Sequence, residues 1–191
     1  MVRMFAAGVI SLFLVNGAMA AEGAPNSALK QAGDKGIVDA QLLLGSQYLL
    51  GYGVNRDAGK ARQWYKRAAD QGDPKAQTVL GLIHLSGTGV SVNRAMAATW
   101  FQMAALQGSG QAQLSLAALY AEGKGVLRDY TEAHMWASLA IANLPDGENL
   151  NEAVMLRDGL AQKMSADEIA EATDRAAGLG IFARKSKTAH R

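Results

Sequence analysis

Residues 39–74, DAQLLLGSQYLLGYGVNRDAGKARQWYKRAADQGDP, are the first copy of a 36-residue unit that decides the fold. The unit returns at residues 75–110 and again at residues 111–146. Each copy carries one tryptophan and one Gly-x-Gly-Val turn at equivalent positions. A repeat of this length is typical of a solenoid, because a short unit cannot bury its apolar side alone and stacks on its neighbours.

The first half of the unit predicts a helix, which we call helix A. In the first copy Ala40, Leu44 and Tyr48 recur at i, i+4 and i+8, so they share one side of a helix from about Val38 to Leu50. Gly51 follows at the point where a residue in the left-handed conformation can end the helix.

The second half predicts another helix, helix B, which begins after an aspartate or asparagine cap. The side chains of Asp57, Asn93 and Asp129 can each accept a hydrogen bond from a free amide of the first helical turn. Alanine and glycine let neighbouring helices approach closely, and one large side chain in each copy fills the space between units. These side chains are Trp64, Trp100 and Trp136.

The two ends of the chain do not follow the repeat. Arg3, the apolar run 5–15 and the small-x-small sequence 18–20 predict a signal peptide, and the run is shorter than the ~20 apolar residues of a membrane span. We therefore expect a soluble, exported protein, either periplasmic or secreted. The predicted parts are a cleaved signal peptide 1–20, an N-terminal capping helix 21–38, repeats 39–74, 75–110 and 111–146, C-terminal capping helices 147–180, and a basic disordered tail 181–191.

Composition narrows the classes of function. The sequence contains no cysteine, so no disulfide or cysteine-ligated metal can stabilise the fold. The formal net charge is +2, but four basic residues lie in the predicted tail, and the rest of the chain is slightly acidic. We therefore expect no nucleic-acid-binding face.

The repeat resembles the Sel-one-like repeat family, which is related to the tetratricopeptide repeats. In the first copy the likeness is carried by Ala40-Gln41, Leu44-Gly45, Tyr48, Gly51, Gly53-Val54, Asp57, Lys60-Ala61, Trp64-Tyr65, Ala68-Ala69 and Gly72. The third copy departs from the pattern at Ala117, Ala137 and Leu144. The resemblance implies an all-α, right-handed solenoid with an adaptor or binding role, and it leaves the partner open.

No motif for catalysis, a cofactor or a metal is complete. The Gly-x-Gly turns follow helices, whereas a phosphate-binding loop follows a strand. Ser27-x-x-Lys30 matches the serine motif of β-lactamases, but the two companion motifs of those enzymes are missing. His84, His134 and His190 lack metal-ligand spacing. We therefore expect no enzymatic activity, no cofactor and no metal.

The sequence predicts a non-catalytic scaffold of a bacterial-type envelope that binds a peptide or helix of another protein. The predicted site is an apolar groove on helix A, and its residues are Leu42, Ser46, Leu49, Thr78, Leu82, Leu85, Leu114, Ala118 and Ala121. The same residues could instead pack between repeats or under the caps. Two other functions stay open: an envelope enzyme that acts on β-lactams or peptidoglycan, and a module that stacks cell-wall carbohydrate on exposed tryptophans.

Overall fold

The computed structural model describes the backbone of residues 25–189 and the side chains of residues 25–179. In this part of the chain all regular structure is helical, and the helices are joined by short turns. Their bounds are α1 Ser27–Asp34, α2 Val38–Leu50, α3 Ala58–Asp70, α4 Pro74–Ser86, α5 Arg94–Leu106, α6 Gly110–Glu122, α7 Tyr130–Asn143, α8 Glu148–Ala161 and α9 Ala166–Ala189. The described chain is an all-α helical repeat solenoid.

Helices α2 to α7 form three pairs, one for each copy of the unit, and each pair packs on the next. The first helix A spans Val38–Leu50, as the sequence predicts. Each helix A ends at a glycine with positive φ, a conformation that glycine adopts without a Cβ penalty; these are Gly51, Gly87 and Gly123. Each helix B begins at a capping residue whose side-chain oxygen accepts a hydrogen bond of 2.9 Å from a backbone amide of the first turn. These capping residues are Asp57, Asn93 and Asp129.

Glycine within helix A lets helix B approach closely in the first two repeats. A methyl group on Gly45 would lie 2.9 Å from the ring of Tyr65, and one on Gly81 would overlap the ring of Phe101. The side chain of Phe101 is completely buried. The interior of each of these two repeats is therefore shaped by one aromatic ring that lies against a glycine of helix A.

A series of buried amides crosses each junction between repeats. The Nε2 of Gln77 donates to the backbone oxygen of Ala69, in the last turn of the preceding helix B, at 3.3 Å. The Oε1 of Gln77 accepts a hydrogen bond of 2.8 Å from Gln107, at the end of its own repeat's helix B. Gln41 and Gln113 make the same two kinds of contact. Because a buried polar group without a partner costs about 1–3 kcal/mol, these amides favour one register of the stack.

Different helices close the two ends of the stack. At the start, α1 packs against α2, and Gly33 of α1 lies against the ring of Trp64. At the other end, α8 packs against α6 and α7, whereas α9 packs against α7. A capping box begins α9, because the Ser165 amide donates to the Glu168 carboxylate at 2.7 Å and the Glu168 amide donates to the Ser165 hydroxyl at 3.3 Å.

The structure continues α9 as a helix to Ala189, so the tail predicted as disordered is helical over residues 181–189. This stretch contains neither proline nor glycine, and nothing in its sequence stops a helix that has already started.

The predicted signal peptide, residues 1–20, lies outside the described part of the chain. Among the described helices, none combines the length and the hydropathy that crossing a bilayer requires.

Candidate binding surface

The A helices share one side that stays at least partly open to solvent. This side, which we call the helix-A face, consists of Leu43, Ser46, Leu50, Val79, Leu82, Ser86 and Ala118. In α2 and α4 these positions are three or four residues apart, and the equivalent positions of the two helices are 36 residues apart, so they form one surface. In α6 only Ala118 continues this surface, because Ser115, the equivalent of Leu43 and Val79, is buried and the equivalent of Leu50 and Ser86 is Glu122.

The helix-A face carries no charged side chain between its two ends. Asp39 and Lys75 lie in the first turns of α2 and α4, and Glu122 lies at the end of α6. The hydroxyls of Ser46 and Ser86 donate to backbone carbonyls of their own helices at 2.8 Å, so these polar groups are already satisfied. The face is therefore suited to an apolar ligand, and its charged ends would limit the length of that ligand.

The structure divides the nine residues that the sequence predicts for a groove into two groups. Six of them are partly accessible: Ser46, Leu49, Leu82, Leu85, Ala118 and Ala121. Leu42, Thr78 and Leu114 are buried, so they cannot contact a partner on the surface as it stands. For the other six residues the binding role stays a prediction.

The buried residues of the predicted groove face the next helix of the stack. Leu42 packs in one cluster with Ala76 of α4, and Leu114 packs in another with Ala153 of α8. Successive residues of an α-helix are about 100° apart. In α2 and α4 the residue after the buried one, Leu43 or Val79, is at least partly open to solvent, whereas in α6 the next residue, Ser115, is buried as well.

The three tryptophans lie between repeats, as the sequence predicts, but they are not equally covered. Trp64 and Trp136 are buried, and the Arg67 guanidinium lies 4.4 Å from the centre of a Trp64 ring. Trp100 is half-buried, and the Nζ of Lys66 lies 5.7 Å from the centre of its ring. These rings do not form an exposed row on which a carbohydrate could stack.

The other candidate side chains are scattered over the molecule. Ser27 and Lys30 lie on the exposed surface of α1, where Lys30 forms an ion pair within the helix. Burial lowers the pKa of His134, and it also lowers the pKa of His84. His190 lies outside the described residues. In the described part of the chain no group of three suitable side chains could hold a metal ion.

Sequence reasoning missed two features of the structure, one on the helix-A face and one buried between the repeats. It did not place Leu43 and Val79 on the open side of helix A, although this position is apolar in the first two of the three copies. It also gave no role to the glutamines at positions 41, 77 and 113, although a polar residue repeated among small and apolar neighbours indicates a buried hydrogen bond.

Comparison with known proteins agrees with the fold. Sel1 repeats match residues 38–73, 74–109 and 110–143. A Sel1 repeat protein from Oxalobacter formigenes, known from its crystal structure, is 33% identical, with a TM-score of 0.61 over 69% of this chain and 96% of that chain. A second crystal structure is c5321, a protective antigen present in uropathogenic Escherichia coli strains that displays an SLR fold. It is 26% identical, with a TM-score of 0.59, and the match covers 79% of this chain and 39% of that chain. No curated protein matches the sequence.

The three matched segments coincide with the three helix pairs, and together they span more than half of the chain. Sel1 repeats generally mediate protein–protein interactions, and proteins built from them are typically non-catalytic, which is consistent with a scaffold. On this combined sequence and structural likeness, the chain belongs to the Sel1 repeat family.

Proposed function

We propose that the protein is a non-catalytic scaffold that holds a peptide or a helix of another protein on its helix-A face. The observation that carries the proposal is the uncharged surface from Leu43 through Val79 to Ala118, whose serine hydroxyls are satisfied within their own helices. An amphipathic partner helix would lay its apolar side along such a surface. The usual role of Sel1 repeats supports a protein partner.

We further propose that the scaffold works in the cell envelope or outside the cell, with an envelope protein as its partner. The support is the signal-peptide pattern of residues 1–20. Mass spectrometry of the protein from an envelope or culture fraction should find a mature N-terminus at Ala21. An intact chain that begins at Met1 and stays in the cytoplasm would contradict the proposal.

A single charge on the helix-A face tests the binding role. Leu43 is 42% exposed, so Leu43→Glu should leave the fold intact and abolish binding of peptides selected on the purified protein. Leu127→Glu is the matched control, because Leu127 is 90% exposed on the turn before α7. Circular dichroism checks the folding of both variants, and isothermal titration measures the binding. Equal binding by both variants would contradict the proposal.

Leu82 is a less informative position for the same test. Its side chain is half-buried and packs against a core cluster that contains Phe101. A glutamate at Leu82 would therefore disturb folding and binding together, whereas one at Leu43 separates the two effects.

A further inference from the structure

The B helices have an outer side, turned away from helix A, that changes along the stack. Three positions of this side are 36 residues apart in successive helices, so they can be compared directly. They are polar or charged in α3, where they hold Lys60, Gln63 and Arg67. They become mostly apolar in α5 and α7, where they hold Met96, Thr99 and Met103, and then Glu132, Met135 and Leu139.

In the last repeat, α9 covers this outer side. Met135 and Leu139 are only 2% and 7% exposed, and they belong to the same buried cluster as Ala172 and Ala176 of α9. The guanidinium of Arg175 pairs with the carboxylate of Glu132 at the edge of this contact. The outer side of α7 thus binds another helix of the same chain.

The equivalent side of α5 is exposed. Met96, Met103 and Leu106 are 42%, 43% and 49% exposed, and together with Thr99 they lie along one side of the helix. We call these four residues the α5 stripe. Trp100 beside them is half-buried, whereas its equivalent in the last repeat, Trp136, is buried.

We propose that the α5 stripe binds an amphipathic helix of a partner protein, with small residues four apart on its contacting side and no basic residue between them. The small residues follow from the pair that α9 places against α7, Ala172 and Ala176. The second condition follows because Met96 occupies in α5 the position that Glu132 occupies in α7. A basic side chain in the position of Arg175 would therefore meet a thioether without a counter-charge.

A single helix fits the α5 stripe better than a second copy of the whole chain. The stripe runs over the eleven residues 96–106, and its ends are roughly 15 Å apart along the helix. It lies between the charged side of α3 and the helix α9 packed on α7. A patch of this length cannot supply the ~800 Å² per partner of a stable protein–protein interface. The stripe and the helix-A face lie on different helices, so the inference does not depend on the proposed function.

Methionine methyl resonances give a direct test on the full, purified protein. The probe is a peptide with the sequence of residues 165–179 and Arg175→Met, which keeps the capping box and both alanines. In a protein with ¹³C-labelled methionine methyl groups, the peptide should shift the resonances of Met96 and Met103 in a saturable manner. The resonance of Met155, which is 68% exposed on α8, should stay in place.

Two variants and four outcomes decide the question. Met103→Glu should abolish the shift at Met96, whereas Met155→Glu, the same change at an exposed methionine elsewhere, should keep it. The proposal is overturned if about 1 mM peptide produces no shift, or if Met155 moves as much as Met96. It is also overturned if the peptide moves the resonance of Met135, because the peptide then replaces α9 on α7. Shifts of Met96 that depend on protein concentration without peptide would assign the stripe to a second copy instead.

Discussion

The first two repeats and the third fill the space between their two helices with opposite choices of side chain. The first two place a glycine of helix A against an aromatic ring of helix B, as Gly81 and Phe101 show. The third has alanine at both equivalent positions, Ala117 and Ala137, and both are fully buried. The two positions therefore change together: a glycine in helix A accompanies an aromatic ring in helix B, and an alanine in helix A accompanies an alanine in helix B. Two departures from the family pattern turn out to be one coordinated change.

The third repeat also ends differently. The first two end near glycines with positive φ, Gly72 and Gly108. The third ends at Leu144 in an extended conformation, with φ −84° and ψ 142°. Its side chain lies so close to Gly110 that a methyl group there would approach it to 2.9 Å. The last repeat is thus adapted to direct the chain into α8 and α9 and to be covered by them.

The largest expected effect comes from the aromatic ring of the second repeat. Phe101→Ala should lower the free energy of unfolding by about 3–5 kcal/mol, because it leaves a cavity in a fully buried site. Gly81→Ala alone should cost about 1–3 kcal/mol, because its methyl group overlaps the ring. The double variant recreates the alanine pair of the third repeat, so its cost should be clearly smaller than the sum. Urea denaturation measures all three values.

The control for this cycle is Ala117→Gly in the third repeat. It should cost only about 1 kcal/mol, the usual difference between glycine and alanine within a helix, because no aromatic ring opposes it. Additive costs for Gly81→Ala and Phe101→Ala would show that the two side chains do not share one space.

The tryptophans give the next comparison. Trp136→Ala should cost about 3–5 kcal/mol, because α8 and α9 close the end of the stack around a buried ring that also donates to Glu132 at 3.1 Å. Trp100→Ala should cost less, because Trp100 is only half-buried. Thermal midpoints of the two variants rank them. A larger drop in thermal midpoint for Trp100→Ala than for Trp136→Ala would show that the exposed fraction of the ring does not predict its contribution to stability.

The amide series should have a smaller effect at each position. Gln77→Ala removes the partner of Gln107 and of the Ala69 carbonyl, and should cost about 1–3 kcal/mol. Gln63→Ala, at an exposed position of α3, is the control and should stay within about 0.5 kcal/mol of the parent protein. Denaturant titration compares the two variants. Equal free energies of unfolding would show that the buried amides do not stabilise the fold.

Much of the fold was predictable because it depends on local rules. The caps at Asp57 and Asn93, the glycine that ends helix A at Gly51 and the capping box at Ser165 all follow from residue types at fixed offsets. These rules act within one or two turns of a helix, so one sequence is enough to apply them.

The surface was harder to predict because it depends on the angle between neighbouring helices. Whether Leu42 or Leu43 faces solvent is decided by where α4 lies against α2, and Leu42 packs against α4. The position of α9 on the outer side of α7 is likewise set by packing far along the chain. The 36-residue period shows which positions are equivalent, but it does not show which of them another helix covers.

The smallest predicted effect is a dependence of stability on pH that separates the second repeat from the third. Burial lowers the pKa of His134, and the nearby Arg157 lowers it further. The unfolded chain then takes up a proton first as the pH falls below about 6.5, so stability is full above that value and declines below it. His134→Gln should make the thermal midpoint less sensitive to pH between about 7.5 and 5.5. His84→Gln should do so to a smaller extent, because His84 is less covered.

The control for this experiment is the parent protein itself. Burial raises the pKa of Glu152, which changes stability with pH in the opposite direction in the parent and in both variants, so the difference between each variant and the parent isolates the histidine. An unchanged pH profile in His134→Gln would show that His134 is protonated as easily in the folded chain as in the unfolded one.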